Sequence, residues 1–72
     1  MKPKEIKFDV YSYKGYSKEY TSFIEEETDI QTIFSLAEHH KKEAEKDDDF
    51  SDVRLITIIP HIKDVMKITI EY

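Results

Sequence analysis

The apolar residues of this chain change their spacing twice, and those two changes limit what it can fold into. Between Glu5 and Tyr13 they alternate. Ile6, Phe8 and Val10 share one side, while Lys7, Asp9 and Tyr11 take the other. A two-residue period marks a half-buried strand. A second run, Lys18 to Glu26, is rich in Tyr, Thr, Phe and Ile and reads as another strand. Gly15, the only glycine, lies between them and suits a hairpin position that needs positive φ. The length of that turn decides the register. A two-residue turn sets Thr21 and Phe23 beside Ile6 and Phe8; a three-residue turn with a bulge at Gly15 sets Tyr20 and Ile24 there.

At Thr28 the spacing lengthens. Thr28-Asp29-Ile30-Gln31 fits a capping box, and beyond it Ile30, Ile33, Phe34, Ala37 and Ala44 fall on one stripe bordered by Leu36. This predicts a helix from Asp29 to Lys46, with Glu25, Glu26, Glu27 and Asp29 near its positive end. The Asp47-Asp48-Asp49-Phe50-Ser51-Asp52 segment ends it. From Val53 the period returns to two, predicting strands over Val53–Ile59 and Val65–Tyr72 joined around Pro60-His61-Ile62-Lys63-Asp64. Pro60 cannot donate to a ladder and belongs at a strand end or an outer edge. In the last strand Met66, Ile68, Ile70 and Tyr72 alternate with Lys67, Thr69 and Glu71.

The element order is therefore ββαββ in a single α+β domain over residues 1–72, with one helix on one face of a four-stranded sheet. That order resembles the β-grasp of ubiquitin-like and small immunoglobulin-binding domains. The resemblance implies a strand order of 2-1-4-3, with the first and last strands parallel at the centre. Another four-strand order with the helix on one face is the main competitor. The di-glycine tail of ubiquitin is absent, and no functional residue carries over.

Composition removes several function classes. With 11 Lys+Arg against 16 Asp+Glu the net charge is −5, which disfavours direct contact with nucleic acid or anionic lipid. No cysteine is present, so no disulfide braces the chain, as expected of a reducing, cytoplasmic setting. Its apolar runs fall far short of the ~20 residues a membrane span needs, and Met1-Lys2-Pro3-Lys4 does not open a signal peptide. At 39% hydrophobic and 12% aromatic residues the chain is too apolar to stay disordered, although 38% of it is charged.

The charge is concentrated. Residues 25–52 hold eleven acids and three lysines, whereas the flanking segments are slightly basic. Glu43, Glu45, Asp47, Asp48, Asp49 and Asp52 oppose the helix dipole, each costing a few tenths of a kcal/mol. Two readings follow. These acids dock on a basic groove of another protein, one that normally holds nucleic-acid phosphates, or they keep a small protein in solution. They do not form a calcium loop: Asp52 stands where glycine is needed and Ile58 where the bidentate glutamate should be. His39 and His40 diverge by about 100° on a helix. Either one with Glu43 could supply two ligands, but a structural zinc normally takes four. His61 would have to come from the far hairpin and no cysteine is present to complete the set, so no metal is expected. There is no serine elbow, no Gly-rich loop and no opposed pair of carboxylates, so neither an enzyme nor a cofactor is expected.

The third strand is apolar on both sides, Leu55 and Ile59 on one and Ile56 and Ile58 on the other. If Leu55 and Ile59 join Met66, Ile68 and Ile70 beneath the helix, then Ile56, Ile58 and Ile62 face outward. Tyr11 and Tyr13 then share that uncovered side. A one-residue change in the hairpin exchanges the two sets. Tyrosines beside aliphatics are typical of protein-binding hot spots; a central strand covered on both faces is the other reading. Lysine outnumbers arginine ten to one and isoleucine is abundant, a bias of AT-rich bacterial genomes and their phages. The expectation is a non-enzymatic accessory protein of a phage or mobile element, contacting a host protein's basic surface. The contacts are the six acids together with Tyr11, Tyr13, Ile56 and Ile58. The alternative is a homodimer that buries the uncovered sheet face.

Overall fold

The structure, a computed structural model, describes residues 4–25, 28–60 and 66–72. Strands β1 (Lys4–Ser12) and β2 (Ser17–Ile24) form the first hairpin and the helix α1 (Ile30–Ala44) follows. A 3₁₀ turn (Asp48–Phe50) leads into β3 (Val53–Ile59), and β4 (Ile68–Glu71) closes the sheet.

The hairpin takes the longer of its two expected turns. Ser12 N–H donates to Tyr16 O at 2.9 Å and Gly15 N–H to Ser12 O at 3.1 Å, with Gly15 at φ +92°. The loop is therefore Tyr13-Lys14-Gly15. It sets Phe8 opposite Tyr20 and Lys4 opposite Ile24, so Tyr20 and Ile24 join the inward row. Asp29, not Thr28, caps α1: its carboxylate accepts from Thr32 N–H at 2.8 Å. That bond holds the Asp29 carboxyl below its usual range. The capping aspartate also places a negative charge at the positive end of the helix.

The helix buries Ile33, Ala37, His40 and Ala44, spaced four, three and four residues apart, with Leu36 at the margin. Ile30 and Phe34, expected on the stripe, lie to its side at 38% and 40% exposure. Two alanines on the inward line let the helix approach the sheet closely. Asp47 then adopts extended backbone (φ −94°, ψ 129°) and turns the chain away, so the helix ends at Ala44 rather than Lys46.

The sheet order is β2-β1-β3-β4, and every neighbouring pair is antiparallel. The ββαββ order with the helix on one face is as expected, but the β-grasp-like order 2-1-4-3 is replaced: β1 pairs with β3, not with a parallel β4. The connection after the helix fits this order. Lys18 Nζ reaches Asp47 Oδ2 at 3.2 Å, Lys14 Nζ donates to Asp48 O at 2.9 Å, and Tyr13 N–H donates to Asp52 O at 3.0 Å. Residues 45–52 are thereby pinned to the hairpin tip. β3 starts beside the end of β1, runs back along it, and leaves β4 the outer edge.

The register on β1 also decides which side of β3 is buried. Ile58 lies opposite Phe8 and Ile56 opposite Val10, with Ile68 and Ile70 beyond them. Ile56 and Ile58 are fully buried under the helix, so they are core residues and not the outward contacts expected of them. Leu55 and Ile59 face the rear instead. β4 is shorter than predicted, and Met66 lies outside it at 87% exposure. Pro60 is buried directly after β3; the rest of the expected turn, including His61 and Ile62, lies outside the described residues.

Replacing Ile58 with alanine should therefore cost about 2–5 kcal/mol, the usual range for a buried Ile. Ile59→Ala, on the rear face, should cost about 1 kcal/mol or less. Urea midpoints measure both, and equal losses would overturn the assigned register.

Candidate functional site

The hairpin tip, the end of α1 and the start of β3 meet at one end of the molecule. Six acids lie there, and their charges are answered unequally. Glu45 Oε1 is 3.5 Å from Lys41 Nζ, Glu43 Oε1 is 3.1 Å from Lys46 Nζ, and Asp47 pairs with Lys18. Asp47 also caps the 3₁₀ turn, accepting from Asp49 N–H at 2.9 Å. That bond, with Lys18 behind it, holds the Asp47 carboxyl below its usual range. Lys18 Nζ lies 4.8 Å from the centre of the buried Phe50 ring, which anchors the turn to the core. The acids expected to oppose the helix dipole are thus partly compensated. Asp48, Asp49 and Asp52 differ: they are exposed and, among the described residues, take part in no ion pair.

The same end carries Tyr13. Between Tyr11 and Ser12 the β1–β3 register slips by one, leaving Arg54 with no residue directly opposite on β1. A bulge of this kind bends a strand and re-aims its side chains. Beyond the slip Val53 turns inward and is buried. Tyr13 hydroxyl donates to Tyr72 O at 3.0 Å. A shallow pocket of about 170 Å³ lies here, lined by Tyr13, Arg54, Leu55, Glu71 and Tyr72.

Tyr72 is fixed from three sides: its N–H donates to Arg54 O, its hydroxyl donates to Glu38 Oε1 at 3.0 Å, and Lys41 Nζ stands 4.9 Å from its ring centre. Burial, then the bond to Glu38, pushes its phenol well above the ordinary tyrosine pKa. The periodicity marked Tyr72 only as a strand residue.

Tyr11 sits on the rear face opposite Leu55, which also lines the pocket, so the two expected tyrosines border one apolar residue. Tyr13 is 63% exposed and Tyr11 37%. Elsewhere the rear face is more polar than expected. Lys7 lies 3.8 Å from Glu19 and 4.0 Å from Glu5, and the row Glu19, Asp9, Thr57, Thr69 crosses all four strands. Its apolar members are Tyr11, Leu55, Ile59 and Phe23.

His40 is the residue whose environment departs most from expectation. It is buried at 8% exposure, with Nε2 2.9 Å from Ser22 Oγ. Its ring stacks on Tyr20 at 4.8 Å and tilts against Phe8 at 4.7 Å. His39, its neighbour, is exposed. Among the described residues no three His, Asp or Glu side chains gather as metal ligands would, and His61 lies outside them. Nor, among those residues, is any helix long and apolar enough to cross a membrane. Comparison of the chain with known protein families, curated proteins and solved structures finds no match.

Burial, with the charge of His39 second, lowers the His40 pKa below that of a free imidazole, against a smaller opposing effect of Glu43. The unfolded chain then binds more protons, so stability is full above about pH 6.5 and falls as pH drops from there toward the folded-state pKa. Denaturant midpoints from pH 7.5 downward should show this loss, and His40→Gln should flatten it. The carboxyls of Asp29 and Asp47 act only below about pH 4. An unchanged slope in the variant would remove His40 from the account.

Proposed function

We propose that this chain is a non-enzymatic binding module that engages a basic surface of another protein with its acidic end. One observation carries the reading: Tyr13 N–H donates to Asp52 O, which holds the exposed Tyr13 at the same end of the molecule as Asp48, Asp49 and Asp52, whose carboxylates form no ion pair among the described residues. Charge steers a partner's approach, while Tyr13, Tyr11 and Leu55 supply the apolar contact on which affinity usually depends. Protein grooves that hold nucleic-acid phosphates have the required basic surface. An accessory protein of a phage or mobile element that filled one would modulate its host target, and the lysine-for-arginine bias fits that origin. The charged rows of the rear face favour this reading over a homodimer that stacks those faces.

The test uses the immobilised chain as bait in bacterial lysate at about 50 mM and about 500 mM salt, where screening differs strongly. Basic proteins should be retained at low salt and released at high salt. D48N/D49N/D52N, which leaves Asp47 to cap the turn, should lower retention about tenfold with an unchanged melting temperature. Equal retention by the parent chain and the triple variant would end the proposal.

A further inference from the structure

We infer that two copies of this chain pair through the outer edge of β2, joining their sheets into one. The inference is independent of the acidic end. Strand β2 is an edge of the sheet, eight residues long, and matches β1 residue for residue over its whole length. The opposite edge, β4, has four residues. Ladder bonds in an antiparallel pair alternate. Since Ser12 N–H donates to Tyr16 O, the bonded partners on β2 are Lys18, Tyr20, Ser22 and Ile24. Ser17, Glu19, Thr21 and Phe23 therefore aim their N–H and C=O groups away from the sheet. Of the usual edge protections β2 has no proline, no glycine and no bulge, and carries only two charged side chains, Lys18 and Glu19. Phe23 stands on it at 68% exposure.

The row is self-complementary in one register. Outward-bonding residues must face outward-bonding residues, so the two-fold axis passes through a β2 residue, perpendicular to the sheet, and both helices lie on the same face. An axis at Lys18 or Glu19 sets that residue's charge against its own copy, and an axis at Ser22 sets Glu19 against Glu25. Like charges directly opposite are destabilising. An axis at Tyr20 leaves Phe23 facing only Ser17. An axis at Thr21 sets Thr21 opposite Thr21, Tyr20 opposite Ser22 and Lys18 opposite Ile24. Glu19 then opposes Phe23, and its methylene stem covers the exposed ring.

Analytical ultracentrifugation of the full chain tests this. The parent chain should dimerise as its concentration rises through the micromolar range. Phe23→Glu sets two carboxylates opposite each other twice across the axis and should weaken the dimer about tenfold or more. The double variant E19K/F23E turns each repulsion into an attraction and should restore it. Phe23 is exposed, so circular dichroism should show both variants folded. A parent chain that stays monomeric at high micromolar concentration would overturn the inference. So would a dimer indifferent to F23E, or a double variant that fails to recover.

Discussion

The inward row of β1, Ile6, Phe8 and Val10, is the reference against which the rest of the chain is placed. Each of the three is fully buried. Phe8 alone faces Tyr20 on β2 and Ile58 on β3, and carries the ring of His40 from the helix above. A one-residue slip of β2 would send Tyr20 and Ile24 to the rear and bring Glu19 under the helix, whereas a slip of β3 would exchange Ile56 and Ile58 for Leu55, Thr57 and Ile59. Each fully buried Ile or Phe contributes roughly 1.5–3 kcal/mol. On the β2 side a slip would forfeit the burial of Ile24 and Tyr20, so that register is specified by side-chain pattern; on the β3 side it is specified by what lies across from each row.

Elements were legible in the sequence where periodicity alone decides them, as in β1, α1 and β3. Gly15 marked the turn, but its length became known only from the bonds between Ser12, Gly15 and Tyr16. Strand order was not legible because it rests on contacts between residues far apart in the chain, Lys18 with Asp47 and Tyr13 with Asp52. No local pattern encodes those contacts. The choice between Ile56 with Ile58 and Leu55 with Ile59 was symmetric for the same reason, since two equally apolar faces differ only in what lies across from them. The burial of His40 was not legible, because a histidine beside a second histidine on a polar-looking helix resembles surface. Its place on the inward line needs the ring to find Ser22 Oγ, 18 residues earlier. Of the candidate site, the acids were legible as a run; their meeting with Tyr13, Arg54 and Tyr72 was not.

The polar rear face limits how the fold can be used. A single helix leaves one side of a four-stranded sheet bare, and a greasy bare side would require permanent cover. Here Glu5, Lys7, Asp9 and Glu19, with Thr57 and Thr69, make most of that side compatible with water. The apolar residues that remain are divided among three places, Tyr11 and Leu55 near the pocket, Ile59 at the end of β3 and Phe23 on the outer strand. Separate small patches suit reversible contacts better than one large buried interface.

Within the acidic end, neighbouring aspartates have separated roles for a physical reason. Asp47 is committed to the fold, because its carboxylate accepts from Asp49 N–H and meets Lys18, which in turn lies over Phe50. Recruiting it to a partner would release the turn that starts β3. Asp48, Asp49 and Asp52 have no such duty through their side chains, yet their backbones are held by Lys14, Asp47 and Tyr13. Exposed charges on a fixed backbone need little ordering when a partner arrives, which lowers the entropic cost of association. Such rim charges govern how fast a complex forms more than how long it lasts. Its lifetime would then depend on Tyr13, whose hydroxyl bond to Tyr72 O already restrains the ring.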